Sequence, residues 1–377
     1  MSCYVLVELK VGMVIAMNYR VEIIDKSGEK TILKRIVLNI VIDRRLDMQT
    51  ASATVVVQDV KSKVHNLYNF GYTDGIIANG NYIRIYISDK IQFTGIIRNF
   101  EINDEAKTIN INCHDIGCKI LRPIDGGVPY HVFNNITATQ LISNMAIKAG
   151  LGTPKFDIIS SNNYTIKDLK MQYDVQMSDI IDEALKTLEA RARVLKDGTY
   201  KVEKLYPNYK ASDVENKINY DFYYENFVRI SKANRKRGSE TLYNRVLVRH
   251  ANDKYNVFED PSMVAYLGYI NFKEIESPLG DTVDKRQKVA SRFFLDCWRE
   301  NSNVDVVATK GNPDLDLGKI VRIRLNEMIG HYMITGIRTE LTNEGNYIDQ
   351  ISLDGMRENA NIAKLSNGNY TLKEGDS

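Results

Sequence analysis

The stretch GNYIRIYISDKIQFTGI begins at Gly80, and GKIVRIRLNEMIGHYMITGI begins at Gly318, near the far end of the 377-residue chain. Each opens on a glycine, alternates apolar with polar residues, turns, and runs back as a second alternating segment. Period-two alternation is what a strand with one buried face needs, so both segments read as antiparallel hairpins. With Gly80 set against Gly318, Ile83, Arg84, Ile85 and Ile87 stand opposite Val321, Arg322, Ile323 and Leu325. Three extra residues in the second turn are then taken to restore register, which places Phe93, Thr94, Gly95 and Ile96 opposite Ile334, Thr335, Gly336 and Ile337. The expected hairpin cores are therefore Ile83, Ile85, Ile87, Phe93 and Gly95 in one copy, and Val321, Ile323, Leu325, Ile334 and Gly336 in the other. Any two hairpins share alternation and a glycine, but register across both strands favours an internal duplication. Two sheet units must each bury a face, and that condition shapes the rest of the chain.

From the start to about residue 122, alternating runs separated by turn residues predict a first antiparallel β-barrel domain. RVEIID, the turn KSGEK and TILKRIVLNIVI read as a hairpin, ASATVVVQDV as another strand, and TININ as the last. Residues 123–215 change period and read as an α+β middle domain. Thr137 stands three residues before Gln140, a capping-box spacing, and Leu141, Ile142, Met145 and Ala149 share a helical face that Gly150 ends. A second helix is predicted with Ser178 as N-cap and Ile181, Leu185 and Leu188 inward. Residues 216–360 read as a second barrel containing TLYNRVLVRH, with an insertion near 251–280. Val289, Ala290, Phe293, Phe294, Cys297 and Trp298 mark a helix suited to covering a barrel. Residues 361–377, rich in Asn, Gly, Lys and Ser, read as a flexible tail. The fold class expected is α+β, mainly β: two tube-like antiparallel β-barrels with an intervening α/β domain.

Composition excludes some functions. Lys plus Arg at 50 against Asp plus Glu at 48 leaves a formal charge of +2, so no global field gathers nucleic acid or anionic lipid. No apolar run reaches the ~18 residues of a membrane span, and Glu8 and Lys10 break the apolar start, so no secretory signal is expected. Four cysteines in a chain this long are too sparse for a disulfide framework.

Catalytic patterns are not found. The chain has no HExxH, G-x-S-x-G or Walker loop. Cys113, His114 and Cys118 are too few for a structural zinc site, and Cys113 continues the alternation of Ile109 and Ile111 as a buried strand residue. Asp314 and Asp316 in NPDLDLG read as a Pro-Asp turn leading into a strand, not a calcium loop. Glu183 and Glu189 read as solvated helix charges. The expectation is no enzyme, no cofactor and no metal. KANRKRG, with Lys232, Arg235, Lys236 and Arg237, is the strongest basic cluster and reads as an exposed loop before a strand. Arg84, Arg322 and Arg324 lie on the polar faces of the paired strands, where they either line a lumen or meet acidic groups on another subunit.

NGNYIRIYISDKIQFTGIIRNFEI with TININCHDIGCKIL, then YNRVLVRH, then ATKGNPDLDLGKIVRIRL with GHYMITGIRTEL, resemble in this order the baseplate hub of contractile phage tails and R-type tailocins, of the late control protein D-like, XkdQ/YqbQ type. The resemblance covers about two thirds of the chain. It implies a homotrimer whose two tube-like barrels per chain form a pseudo-hexameric ring, adapting a six-fold tail tube to a three-fold spike. Tail tube and central spike proteins are the implied partners, with tape measure and baseplate wedge proteins beyond them. The implied location is the baseplate of a phage tail or tailocin particle, assembled in the bacterial cytoplasm, without membrane insertion. Two departures stand out: 251–279 has no clear place in the pattern, and Lys319 follows Gly318 where family hubs commonly have Asp. The competing readings are a tandem-barrel nucleic-acid binder and a hub-associated cell-wall hydrolase.

Overall fold

The computed structural model describes residues 18–46, 50–58, 77–124, 130–172, 174–205, 220–223, 230–235, 242–250, 254–300, 303–308, 311–325, 328–356 and 363–365. The first third supplies β1 (Tyr19–Ile24), β2 (Lys30–Leu33), β3 (Val37–Arg45), β4 (Ser52–Gln58), β5 (Tyr82–Ile87), β6 (Lys90–Asn103) and β7 (Thr108–Asp115). Their alternation translates directly into burial: along β7, Ile109, Ile111 and Cys113 are buried between less buried neighbours. These strands lie in the order β2-β1-β5-β6-β7-β4-β3. The sheet curls on itself, because Val21 of β1 and Ile40 of β3, near its opposite ends, share one apolar cluster. There the Tyr19 hydroxyl donates to the Val37 carbonyl at 3.1 Å. No ladder closes that seam among the described residues, so a closed barrel is not what the pairing shows.

The middle supplies β8 (Tyr130–Thr137), α1 (Ala138–Lys148), β9 (Lys155–Asp157), β10 (Thr165–Gln172), α2 (Met177–Leu188), β11 (Ala190–Val194) and β12 (Tyr200–Lys204). Thr137 caps α1 as its spacing predicts: its Oγ1 accepts from the Gln140 N–H at 3.2 Å, and Gln140 Oε1 accepts from the Thr137 N–H at 3.0 Å. The cap of α2 differs from expectation. Gln176 holds the N-cap position, with Asp179 reaching back to its N–H at 3.3 Å, while Ser178 is already helical and buried. Ile181, Leu185 and Leu188 face inward as expected, packing with Leu141, Ile142 and Met145 of α1. Two small sheets, β10-β8 and β11-β12-β9, complete this α+β part.

The last third supplies β13 (Tyr220–Tyr223), β14 (Ile230–Arg235), β15 (Arg245–Arg249), β16 (Tyr255–Glu259), α3 (Pro261–Leu267), β17 (Phe272–Glu276), α4 (Val283–Glu300), β18 (Asn303–Ala308), β19 (Ile320–Leu325), β20 (Met328–Thr342), β21 (Tyr347–Gly355) and β22 (Ala363–Leu365). Two expectations are corrected here. The RVLVR strand belongs to no second barrel; it is β15, inside a separate four-stranded sheet ordered β17-β15-β16-β22. Sequence alternation cannot tell one sheet from another, since it reports only that one face is buried. Helix α4 covers this small sheet, with Val289, Ala290, Phe294 and Cys297 buried against Val246, Val248 and Phe258. The expected flexible tail is corrected at Ala363–Leu365, which pairs antiparallel with β16. No helix among the described residues is long and apolar enough to cross a membrane.

The remaining strands of the last third join the first sheet. Along its second half β20 pairs with β3, Gly336 opposite Arg45 through Thr342 opposite Asn39. The result is one 13-stranded sheet, mainly β in character, which runs β3-β20-β21-β18-β14 on this side, with β19 and then β13 attached to β20.

Candidate functional site

The two halves of the large sheet follow the same strand path. In the first, β3-β4-β7-β6-β5 are neighbours in that order; in the second, β14-β18-β21-β20-β19 are. Irregularities coincide as well. The β3/β4 ladder slips between Val37 and Asn39, and the β14/β18 ladder slips between Ile230 and Lys232. The β6/β7 ladder slips between Ile97 and Asn99, and the β20/β21 ladder slips between Ile334 and Gly336. Bulges fix register and local twist, so two shared bulges in a shared order argue for one unit used twice.

The echo glycines have the same task in both units. Gly80 and Gly318 sit at φ of 92° and 75°, the left-handed region open to glycine. The Gly80 N–H donates to the Ile97 carbonyl and the Gly318 N–H to the Ile334 carbonyl, each at 2.8 Å. These bonds make Ile97 the counterpart of Ile334, which corrects the expected register of the second strand. Phe93 and Gly95 are not the counterparts of Ile334 and Gly336; Gly95 corresponds to Tyr332, and Asn99 to Gly336. The Thr-Gly-Ile likeness misled because no extra residues enter the second turn: Ile87/Lys90 and Leu325/Met328 close equivalent turns. The first hairpin carries an additional bulge between Ile85 and Tyr86 instead.

A substitution pair separates the two glycines. A Cβ at Gly80 meets nothing nearer than Lys26 at 3.9 Å, so Gly80→Ala is expected to cost only the left-handed strain of about 1–2 kcal/mol. A Cβ at Gly318 would lie 2.4 Å from Arg191 Nη2, a guanidinium already committed elsewhere. Gly318→Ala should therefore cost a further 1–3 kcal/mol or so from overpacking. Urea unfolding of both variants measures this, and equal costs would contradict it.

Of the expected hairpin core, Ile83, Ile85, Ile87, Phe93, Val321, Ile323 and Ile334 are buried, as are Gly95 and Gly336. Arg84 and Arg322 lie on the opposite face and are partly exposed. The side chains of Leu325 and Arg324 lie outside the described residues. The joint between the units is apolar on its inner face: Leu341 and Tyr347 of the second half bury in the first core, and Leu46 packs against the second.

A buried charge cluster braces this joint, and sequence reasoning missed it. The loop NPDLDLG docks on the first unit and on the β11–β12 hairpin. Pro313 O accepts from Gln92 Nε2 at 3.0 Å and Lys196 Nζ at 2.9 Å, and Asp314 pairs with Lys90. Asp316 Oδ1 lies 3.2 Å from Arg44 Nη1 and 3.4 Å from Arg193 Nη1. Behind them Glu203 Oε1 takes Arg191 Nε and Arg193 Nε, both at 3.0 Å. Burial alone would raise the Glu203 carboxyl, but Arg193 and Arg191, helped by Lys201, hold it at about 2. Asp316 is likewise lowered: burial opposes ionisation, and Arg193 and Arg44 outweigh it. Burial, with repulsion from Arg44, pulls the Lys196 ammonium down to about 7. Asp316 thus serves as a structural anion in the turn, and Asp314 as a tether.

Other candidate chemistry stays apart. Cys113 and Cys118 are buried, and burial raises both thiols, Cys113 far above its usual range. Among the described residues no group of three or more His, Cys, Asp or Glu could hold a metal ion. Glu183 pairs with Lys186 on α2, and Glu189 ends that helix at φ 51° with its carboxyl raised by burial. In the basic cluster Lys232 and Arg235 fall within β14, which makes that part of the expected loop a strand; Lys236 and Arg237 lie outside the described residues.

The fold is similar to that of the tail protein from Neisseria meningitidis MC58, at 13% identity and a TM-score of 0.65, with 89% of this chain and 96% of that one covered. It is similar also to the 43 kDa tail protein of prophage MuSo2 from Shewanella oneidensis, at 12% identity and a TM-score of 0.67, covering 91% and 99%. A third similar structure is the prophage tail protein gp18 from Listeria monocytogenes EGD-e, at 12% identity and a TM-score of 0.54, covering 90% and 95%. Identities this low carry the fold and not the function. No curated protein matches the chain. A family model described as YQBQ-like matches residues 47–349, which takes in most of both strand units and everything between them. On that match the chain belongs to the YQBQ-like family, the hub-type family that the order of its sequence elements resembles.

Proposed function

We propose that this chain is the structural baseplate hub of a contractile tail or tailocin, and that three copies form a pseudo-hexameric ring between a six-fold tail tube and a three-fold spike. The observation that carries this reading is the internal joint: two units of the same strand path, with two shared bulges, joined head to tail through β3 and β20. A head-to-tail joint repeated with a fixed rotation closes into a ring, and a duplicated unit lets three chains present six positions. Each half then acts as a tube-like barrel, its curl completed in the ring. Residues 123–215 form a peripheral domain in this reading, and the small β15–β17 sheet with α4 a further outer contact. The partners are the tail tube above and the spike below, with tape measure and wedge proteins nearby. The likeness to phage tail proteins supports the location in a tail particle, and the docking of NPDLDLG by buried charges supports a rigid, structural role.

Native mass spectrometry of the full chain, alone and mixed with its spike, tests the proposal. Assemblies of three chains are expected in at least one of the two conditions. A chain that stays monomeric in both overturns the hub.

A further inference from the structure

The β3–β20 ladder and the apolar contact beside it join the two units, but a ladder alone does not set the rotation between them. Adjacent strands in sheets differ in twist from about −10 to −35°. Three chains that close a ring turn by about 120° each and four by about 90°, so the spread open to one ladder is of the size that changes the count. A fixed rotation needs a third body that touches both units. The β11–β12 hairpin of the middle domain is placed to be that body.

On the first unit the hairpin tip rests against β6. The Thr94 hydroxyl donates to the Lys196 carbonyl at 2.9 Å, and a Cβ at Gly198 would lie 3.0 Å from Thr94 Cγ2. Gly198 holds φ at 90°, a left-handed turn that lets the backbone itself approach the strand. On the second unit the same hairpin meets the NPDLDLG loop and β20. Lys196 Nζ donates to the Pro313 carbonyl at 2.9 Å, Arg193 Nη2 donates to the Leu317 carbonyl at 3.3 Å, and Arg191 Nη1 lies 3.7 Å from Met333 Sδ. With Ile97 matched to Ile334, the counterpart of Met333 is Ile96, close to Thr94 on β6. The hairpin therefore meets the long strand of each unit at nearly the same place. Arg191 is also the group that crowds Gly318, whereas the nearest side chain to a Cβ at Gly80 is Lys26.

We propose that the β11–β12 hairpin is a wedge that fixes the rotation between the two β units, and so determines that three chains complete a ring. The proposal rests on the ring reading above and adds what sets its count. Charge stiffens the wedge: Arg191 and Arg193 share Glu203 within the hairpin, and Arg193 shares Asp316 with Arg44 of β3. Charge-assisted bonds are short and directional, so the hairpin cannot slide on its seat as an apolar contact could. Two of its partners on the second unit, at Pro313 and Leu317, are backbone carbonyls, whose positions follow the chain path and not a side-chain rotamer. The middle domain thereby acts on the assembly through a hairpin outside its own apolar core.

The test is the distance between nitroxide labels on either side of the joint, at Glu101→Cys of β6 and Gln350→Cys of β21, both exposed positions, in the full chain carrying Cys3→Ala. The described native cysteines, Cys113, Cys118 and Cys297, are buried. Pulsed electron spin resonance should give one narrow distance distribution. Thr94→Ala with Arg193→Ala and Lys196→Ala removes the hairpin's bonds to Thr94, Pro313, Asp316 and Leu317 without stranding a carboxylate, because Glu203 keeps Arg191 and Lys201 and Asp316 keeps Arg44. The distribution should then broaden at least about twofold. If the triple variant yields too little folded chain, Thr94→Ala with Lys196→Ala should broaden it in the same direction. Lys90→Ala removes an exposed tether of the loop and leaves the hairpin seated, so it should keep the narrow distribution. In native mass spectra with spike, the hairpin variants should show the trimer share reduced at least about twofold in favour of other counts. Widths unchanged in the hairpin variants, or broadened equally by Lys90→Ala, overturn the wedge and leave the hub standing. A broadened joint with trimers at the wild-type share overturns its control of the count. A wild-type chain monomeric with and without spike overturns the hub, while the widths still decide whether the hairpin fixes the joint.

Discussion

Glu203→Ala is expected to cost about 3–5 kcal/mol of stability, because it strands two buried guanidiniums without their counter-charge. Glu203 and Arg191 are 8% and 7% exposed, and one carboxylate oxygen serves both Arg191 and Arg193. Once that oxygen is gone, Arg193 retains, among the described residues, the more distant Asp316 and the Leu317 carbonyl. Glu203→Gln keeps the volume and one acceptor, so it should cost less than the alanine while removing the pH dependence. The direction of that dependence follows from the carboxyl being held at about 2 against an ordinary 4.5. A depressed acid contributes stability that is fully present above its unfolded value and lost as pH falls through the folded one, here from pH 4.5 towards 2. Lys196 acts in another window. Its ammonium is lowered to about 7 from 10.5, so the folded state pays to charge it, and that cost is relieved as pH rises from 7 to 10.5. Urea midpoints of wild type and both Glu203 variants across these windows check the account. A Glu203→Ala midpoint equivalent to wild type within about 0.5 kcal/mol would mean that the cluster does not brace the joint.

Ile323→Asp should be at least as damaging. Ile323 is fully buried in β19, packed in one cluster with Val306, Val321, Ile334 and Ile351. An ionised carboxylate placed there costs several kcal/mol, or takes up a proton to avoid the cost. The loss should therefore deepen as pH rises above about 4, the unfolded value of an aspartate. Ile323→Val removes one methylene and should cost about 0.5–1.5 kcal/mol at every pH. Circular dichroism with urea titration at two pH values reads both. Normal stability of Ile323→Asp would mean that the inner and outer faces of β19 are reversed.

Much of the local structure was legible in the sequence because local rules govern it. Thr137 with Gln140 announces a capping box, and Ile109 with Ile111 and Cys113 announces a half-buried strand. What pairs with what was less legible. The second-strand register went wrong because the Thr-Gly-Ile shared by residues 94–96 and 335–337 suggested three extra turn residues, whereas the two turns are equivalent and the real difference is one bulge residue between Ile85 and Tyr86, which leaves no distinctive residue type. The β15–β17 sheet went unseen because Val246 and Val248 alternate as any half-buried strand does. The charge cluster was the least accessible, since Arg44 and Asp316 lie 272 residues apart and neither stands in an unusual local setting.

The unit that β5 to β7 form with β3 and β4 recurs in the second half with two of its bulges in place, and that repetition underlies the whole functional reading. A three-dimensional reconstruction of the assembled particle's tip tests it most directly. The account predicts three copies of this chain in one collar, six β units alternating first and second around it, with β3–β20 joining the two units of each chain. A collar built from six copies, or one in which the two halves of each chain occupy dissimilar positions, would contradict it.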